Sequence, residues 1–68
     1  MFLVGQFKVV SKKARDNGNF SYELGDTATF SSFRIVLPSD LENDKVHELK
    51  LPVKVKTGKY GQYLELVN

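Results

Sequence analysis

At 68 residues the chain makes one small domain, and a chain this short buries only about 60% of its unfolded surface, so its core is marginal and a second copy would add to it. It has no cysteine, which excludes a disulfide framework and a thiolate metal site and suits a reducing compartment. The formal charge of +2 is too small to argue for a polyanionic partner by itself.

The distribution of that charge says more. Met1 to Phe20 carries Lys8, Lys12, Lys13 and Arg15 against Asp16, a local +3; Ser21 to Asp44 carries Arg34 against Glu23, Asp26, Asp40, Glu42 and Asp44, a local −4. Lys45 to Lys59 holds five lysines against Glu48, a local +4. Two basic segments flank an acidic one and can share a face of a folded domain. No apolar run approaches the roughly 20 residues that cross a bilayer. Met1 to Gly5 lacks the basic region and long apolar stretch of a signal peptide. The expectation is a cytoplasmic protein with no membrane partner.

Phe2 to Lys12 is the first predicted strand, with Leu3, Phe7 and Val9 in one phase and Val4, Gln6, Lys8 and Val10 in the other. Gly5 interrupts it and suits a bulge or a bend at a barrel corner. Lys12 to Asn19 is a basic loop whose Asn17-Gly18 supplies the positive φ of a tight hairpin. Phe20, Tyr22 and Leu24 then share one face of the return strand, as core or as contact, and Gly25-Asp26 turns the chain. Thr27 to Leu37 is rich in β-branched and aromatic residues, but its phase slips: Phe33, Ile35 and Leu37 share a side and Phe30 has the opposite parity. Either a bulge near Ser31-Ser32 reconciles them, or Phe30 points outward as a stacking platform.

Pro38 to Lys45 is acidic, polar and too short for more than about two helical turns; Ser39 or Asp40 is suited to cap a single turn with Leu41 as a plug under the barrel. Val46 to Lys56 alternates cleanly, with Leu49, Leu51, Val53 and Val55 inward and Glu48, Lys50, Lys54 and Lys56 outward. Pro52 marks an edge position or a bulge. A turn through Gly58-Lys59-Tyr60-Gly61 leads into Gln62 to Val67, with Leu64 and Leu66 inward and Tyr63, Glu65 and Val67 outward. Five short strands with closely spaced turns predict one all-β domain over residues 1–68, a small five-stranded OB-type barrel with protruding hairpins.

Little here supports catalysis. His47 is the only histidine, and it shares parity with Leu49, which suits a place at a barrel end. Without a second histidine or a cysteine, a metal site would need scattered carboxylates, and Asp40, Glu42 and Asp44 lack the spacing of a calcium loop. The expectation is no enzyme, no cofactor and no metal. Binding is better served. Single strands are held by cations along the phosphates and aromatic faces under the bases, and OB-type barrels bind between their first and last hairpins. Lys12, Lys13 and Arg15 occupy the first of these hairpins and Lys54, Lys56 and Lys59 the last. Phe20 and Tyr22 lie beside one group and Tyr60 beside the other, while Tyr63 reads as packing.

The segment Lys56-Thr57-Gly58-Lys59-Tyr60-Gly61-Gln62-Tyr63-Leu64-Glu65-Leu66-Val67 resembles the end of the filamentous-phage gene V type single-stranded DNA-binding proteins: a lysine, a Gly-x-aromatic-Gly turn and a closing strand. Arg15 to Leu24 is similar in kind to that family's basic hairpin. The resemblance implies a homodimer of OB-type barrels that coats single-stranded DNA during replication without strong sequence preference, in the cytoplasm of a host cell, with Tyr60 stacking on a base. The chain departs from the family where the acidic segment Pro38 to Lys45 replaces a long hairpin between the third and fourth strands. The same charges and rings serve RNA as in a cold-shock-like barrel, and a small protein-interaction module, an inhibitor or assembly subunit, is a further reading of the acidic segment.

Overall fold

The computed structural model describes residues 1–59 and 61–67. Five strands form a single sheet that closes on itself: β1 (Phe2–Ala14), β2 (Phe20–Asp26), β3 (Ser32–Leu37), β4 (Val46–Gly58) and β5 (Gly61–Leu66), in the ring order β1-β2-β3-β5-β4. No helix occurs among the described residues. All neighbours are antiparallel except β3 and β5, which are parallel. This is the small all-β, OB-type barrel that the alternation predicts.

The long strands are each shared between two partners. β1 pairs with β4 from Phe2 to Lys8 and with β2 from Phe7 to Ala14. β4 pairs with β1 as far as Pro52 and with β5 from Val53 onward. Pro52 therefore stands at the handover, where its missing N–H costs least; its carbonyl accepts from the Val67 N–H at 2.9 Å. Gly5 has a φ of +149° and lies against the Phe7 ring, where a Cβ would come within 3.3 Å of Cζ. The ladder to β4 runs through it without a register shift, so no bulge forms there.

Phe7, Val9, Tyr22, Leu24, Ile35, Leu37 and Val53 are buried, and Leu3, Phe20, Phe33, Leu41, Leu49, Leu51, Leu64 and Leu66 pack around them. Val55 departs from its expected inward role. It is 52% exposed because the β4–β5 hairpin runs past the end of the core. Of the two alternatives for Phe30, no bulge forms near Ser31-Ser32 and the ring is outward. Phe30 is 90% exposed at a φ of +62°, in the β2–β3 turn, with its N–H on the Asp26 carbonyl at 2.8 Å; β3 begins after it.

A bulge does occur, but in β1. The register jumps between Val9, opposite Leu24, and Ser11, opposite Glu23. Val10 is the extra residue, and beyond it the inward parity changes hands: Lys12 stands opposite buried Tyr22, and Lys13 opposite Ser21. An extra residue in one strand reverses every side chain that follows.

The acidic segment makes no helical turn. The Tyr22 hydroxyl donates to the Ser39 carbonyl and accepts from the Leu41 N–H, and Asp40 pairs with Lys12 instead of capping. Leu41 does pack against the core, as a plug would. His47 is half-buried, with Nε2 at 3.1 Å from the Glu42 carbonyl oxygen.

Removing the Tyr22 hydroxyl leaves a carbonyl and an N–H of the segment without their partner, a cost of ~1–3 kcal/mol. Tyr22→Phe should lower the unfolding free energy by that amount in urea titrations; an unchanged midpoint would contradict this tie.

Candidate nucleic-acid interface

The change of phase in β1 divides the first basic hairpin. Lys12 points to the barrel end, where Nζ lies 2.6 Å from Asp40 Oδ1 and 3.2 Å from the Leu41 carbonyl oxygen, and 5.7 Å from the centre of the Phe20 ring. The hydrogen bond to the Asp40 carboxylate holds its pKa above the ordinary lysine value of 10.5. Phe20 is half-buried, tilted against Tyr22 at 6.2 Å, and Tyr22 is 2% exposed. The expectation that Tyr22 contacts a base is corrected: its ring belongs to the core and its hydroxyl to the backbone of the acidic segment. Lys12 and Phe20 stand with it at that closed end.

Lys13 and Arg15 have the opposite parity and reach the outer face of the sheet. Arg15 Nη1 donates to Ser21 Oγ at 3.2 Å. The hairpin is closed beneath them by Arg15 N–H on the Asn19 carbonyl at 2.8 Å and by Gly18 at a φ of +83°. Across the face comes the β4–β5 hairpin. Between the two hairpins lies a groove of about 690 Å³, lined by Lys13, Arg15, Arg34, Lys59 and Tyr63. Among the described residues, Asp16 is the one acidic residue on its wall. Four cations against one carboxylate, around an aromatic ring, suit a phosphate-bearing strand.

Arg34 and Tyr63 both line this groove, and neither was among the binding residues expected from the sequence. Arg34 is outward on β3, opposite Glu23 of β2; Nη2 donates to the Gln62 carbonyl at 3.3 Å, bridging from β3 to β5. Tyr63 is half-buried on the outward phase of β5, opposite Lys56 of β4. The signal for both was parity: each alternates with a core residue on a strand flanking the binding face of an OB-type barrel.

The glycines of the last hairpin make room for these two groups. A Cβ on Gly58 would meet the Tyr63 ring at 3.0 Å from Cε1. One on Gly61 would meet Arg34 Nη2 at 3.0 Å, and the φ of +111° there disfavours any side chain. Lys54 lies 3.6 Å from Glu65 on the outer wall, and Lys56 is exposed beside Tyr63. Tyr60, the aromatic of the Gly-x-aromatic-Gly turn, lies outside the described residues. No protein-family model, curated protein or solved structure matches this chain.

A raised lysine pKa means that the Lys12–Asp40 tie contributes below the unfolded value and is lost as pH rises through the folded one. In an NMR titration of the lysine side chains, Lys12 should deprotonate above 10.5 and return to the ordinary value in Asp40→Asn. A Lys12 midpoint indifferent to that substitution would contradict the pairing.

Proposed function

We propose that this protein binds single-stranded DNA without strong overall sequence preference, as its resemblance to the gene V type family implies. Lys13, Arg15, Arg34 and Lys59 hold phosphates, with Lys56 at the margin, and Tyr63 stacks on a base. The observation that carries the reading is the cationic groove between the two hairpins, with the Tyr63 ring in its lining. Cations and rings are the two components of sequence-tolerant strand binding, each stacked base being worth ~1–3 kcal/mol. Tyr60 enters on the sequence motif alone.

The partner proposed for the whole molecule is a second copy. The outer face of β1 and β4 supports it: Phe2 and Val4 are 65% and 63% exposed on the part of β1 that pairs with β4, with Pro52 beside Phe2 in register. A rigid apolar strip is material for an isologous interface. Native mass spectrometry should find two chains, and Val4→Lys should return the mass to one. A single chain in the unaltered protein would remove the dimer from the proposal.

Oligo-dT titrations at several salt concentrations test the binding itself. Four neutralised phosphates give a slope of log affinity on log salt of about −2 to −3, and Lys59→Ala should flatten it by ~0.7. Tyr63→Ala should weaken binding by ~1–3 kcal/mol while Tyr63→Phe retains it. Affinity indifferent to salt would overturn the reading.

A further inference from the structure

β3 and β5 meet at only two rungs, Ile35 with Leu64 and Val36 with Glu65. Toward their N-terminal ends the two strands part, and a slot of about 500 Å³ opens there, within the range of ~300–1,000 Å³ typical of small-molecule sites. Its apolar lining is Phe33 and Leu64, half-buried against the core, and Val55, 52% exposed. The Phe33 ring is fixed edge-on against Phe7 at 5.4 Å. Tyr63, Arg34 and Glu23, out of phase with the core residues of their strands, complete the polar part of its lining with Ser32 and Gln62. The slot therefore opens on the same face as the cationic groove and shares Tyr63 and Arg34 with it.

Glu23 is out of place on a face that only grips phosphates. It is half-buried and stands directly opposite Arg34 in the β2–β3 ladder, yet its carboxylate forms neither a hydrogen bond nor an ion pair among the described residues. A carboxylate repels a phosphate. It accepts from the donor edge of a base, the way acidic side chains take the cytosine amino group, and unstacked bases of single strands are read on such edges.

We propose that this slot takes one unstacked base of the bound strand and prefers guanine; the inference rests on the single-strand reading above. Guanine presents two adjacent donors, N1–H and the N2 amino group, to the two oxygens of the Glu23 carboxylate, with its O6 acceptor next in line toward the Arg34 guanidinium. Cytosine and adenine offer a single amino donor group. Thymine offers a single N3–H flanked by two carbonyl oxygens that the carboxylate repels, and is disfavoured. Stacking and phosphate contacts along the rest of the strand stay sequence-tolerant, so the preference is confined to one position.

The test uses the full chain and fluorescence anisotropy with dT12, with dT12 carrying a single central dG, and with deoxyinosine in place of that dG, which lacks the N2 amino group. The dG strand should bind on the order of tenfold tighter than dT12, within the ~1–3 kcal/mol of a good bidentate contact, and the deoxyinosine strand should fall between them. In Glu23→Gln the dG advantage should disappear while dT12 binding is retained or strengthened. Equal affinity for dT12 and the dG strand, or a dG advantage that persists in Glu23→Gln, overturns the base slot and leaves the single-strand reading standing. Failure to bind any of the three strands overturns both.

Discussion

Closure of the ring through the β3–β5 seam is the constraint on which the rest of the structure depends. β1 and β4 are 13 residues long and β3 and β5 only six, and a barrel built from such unequal strands can close only where the short ones meet. They meet in parallel, the slightly weaker pairing, at two rungs. The remainder of β5 stays with β4 as a hairpin that runs beyond the core. Its in-phase residues, Val55 above all, have no interior left to face. A projecting hairpin, a parted seam and an uncovered apolar slot follow from one mismatch of length, and all three lie on the face that collects the cations.

The bulge at Val10 is the second determinant. In an unbroken strand Lys13 would fall in phase with Phe7 and Val9 and point toward the barrel end, and Lys12 would point out. One extra residue exchanges them. Lys12 goes to Asp40 and helps hold the acidic segment over the barrel end, together with the Tyr22 hydroxyl; Lys13 and Arg15 go to the groove. Two adjacent lysines of the same chemistry thus have separate tasks, one within the fold and one on its surface. The acidic segment is exposed except at half-buried Leu41, and it is tied down over the barrel end because its Asp40, Leu41, Glu42 and Asp44 each contact the strands through side chain or backbone.

Much of this was legible in the sequence. Alternation identified the inward residues of β3, β5 and, Val55 apart, β4; it grouped Leu3, Phe7 and Val9 in one phase of β1 and left Phe20 and Tyr22 of β2 open between core and contact, and the spacing of turns identified the barrel. Alternation cannot show where a core ends, which is why Val55 reads as interior and is not. Nor does it show an extra residue in a strand whose two faces are both partly apolar, as Val4 and Val10 make β1; the bulge was invisible and the pairing of Lys12 with it. The site was half legible. Lys13, Arg15 and Lys59 were identifiable because cations in hairpin loops stand out, and Tyr22 was misplaced because an aromatic beside a basic loop looks the same in a core as on a surface. Arg34, Tyr63 and Glu23 are single residues alternating with apolar ones, and only the strand order of the closed ring brings them together. Gly58 and Gly61 read from sequence as turn residues; the fold gives them the further role of admitting the Tyr63 ring and the Arg34 guanidinium.

The central claim is that a single strand lies in the groove between the two hairpins, and NMR amide-shift mapping during titration with oligo-dT tests it most directly. The account predicts that the largest perturbations fall on Lys13, Arg15, Arg34, Lys59, Gly61 and Tyr63, with little change at Asp40, Leu41 and the Phe2–Val4 strip. Perturbations centred on Phe20, Lys12 and the acidic segment, or none at a concentration of strand that saturates the sample, would contradict it.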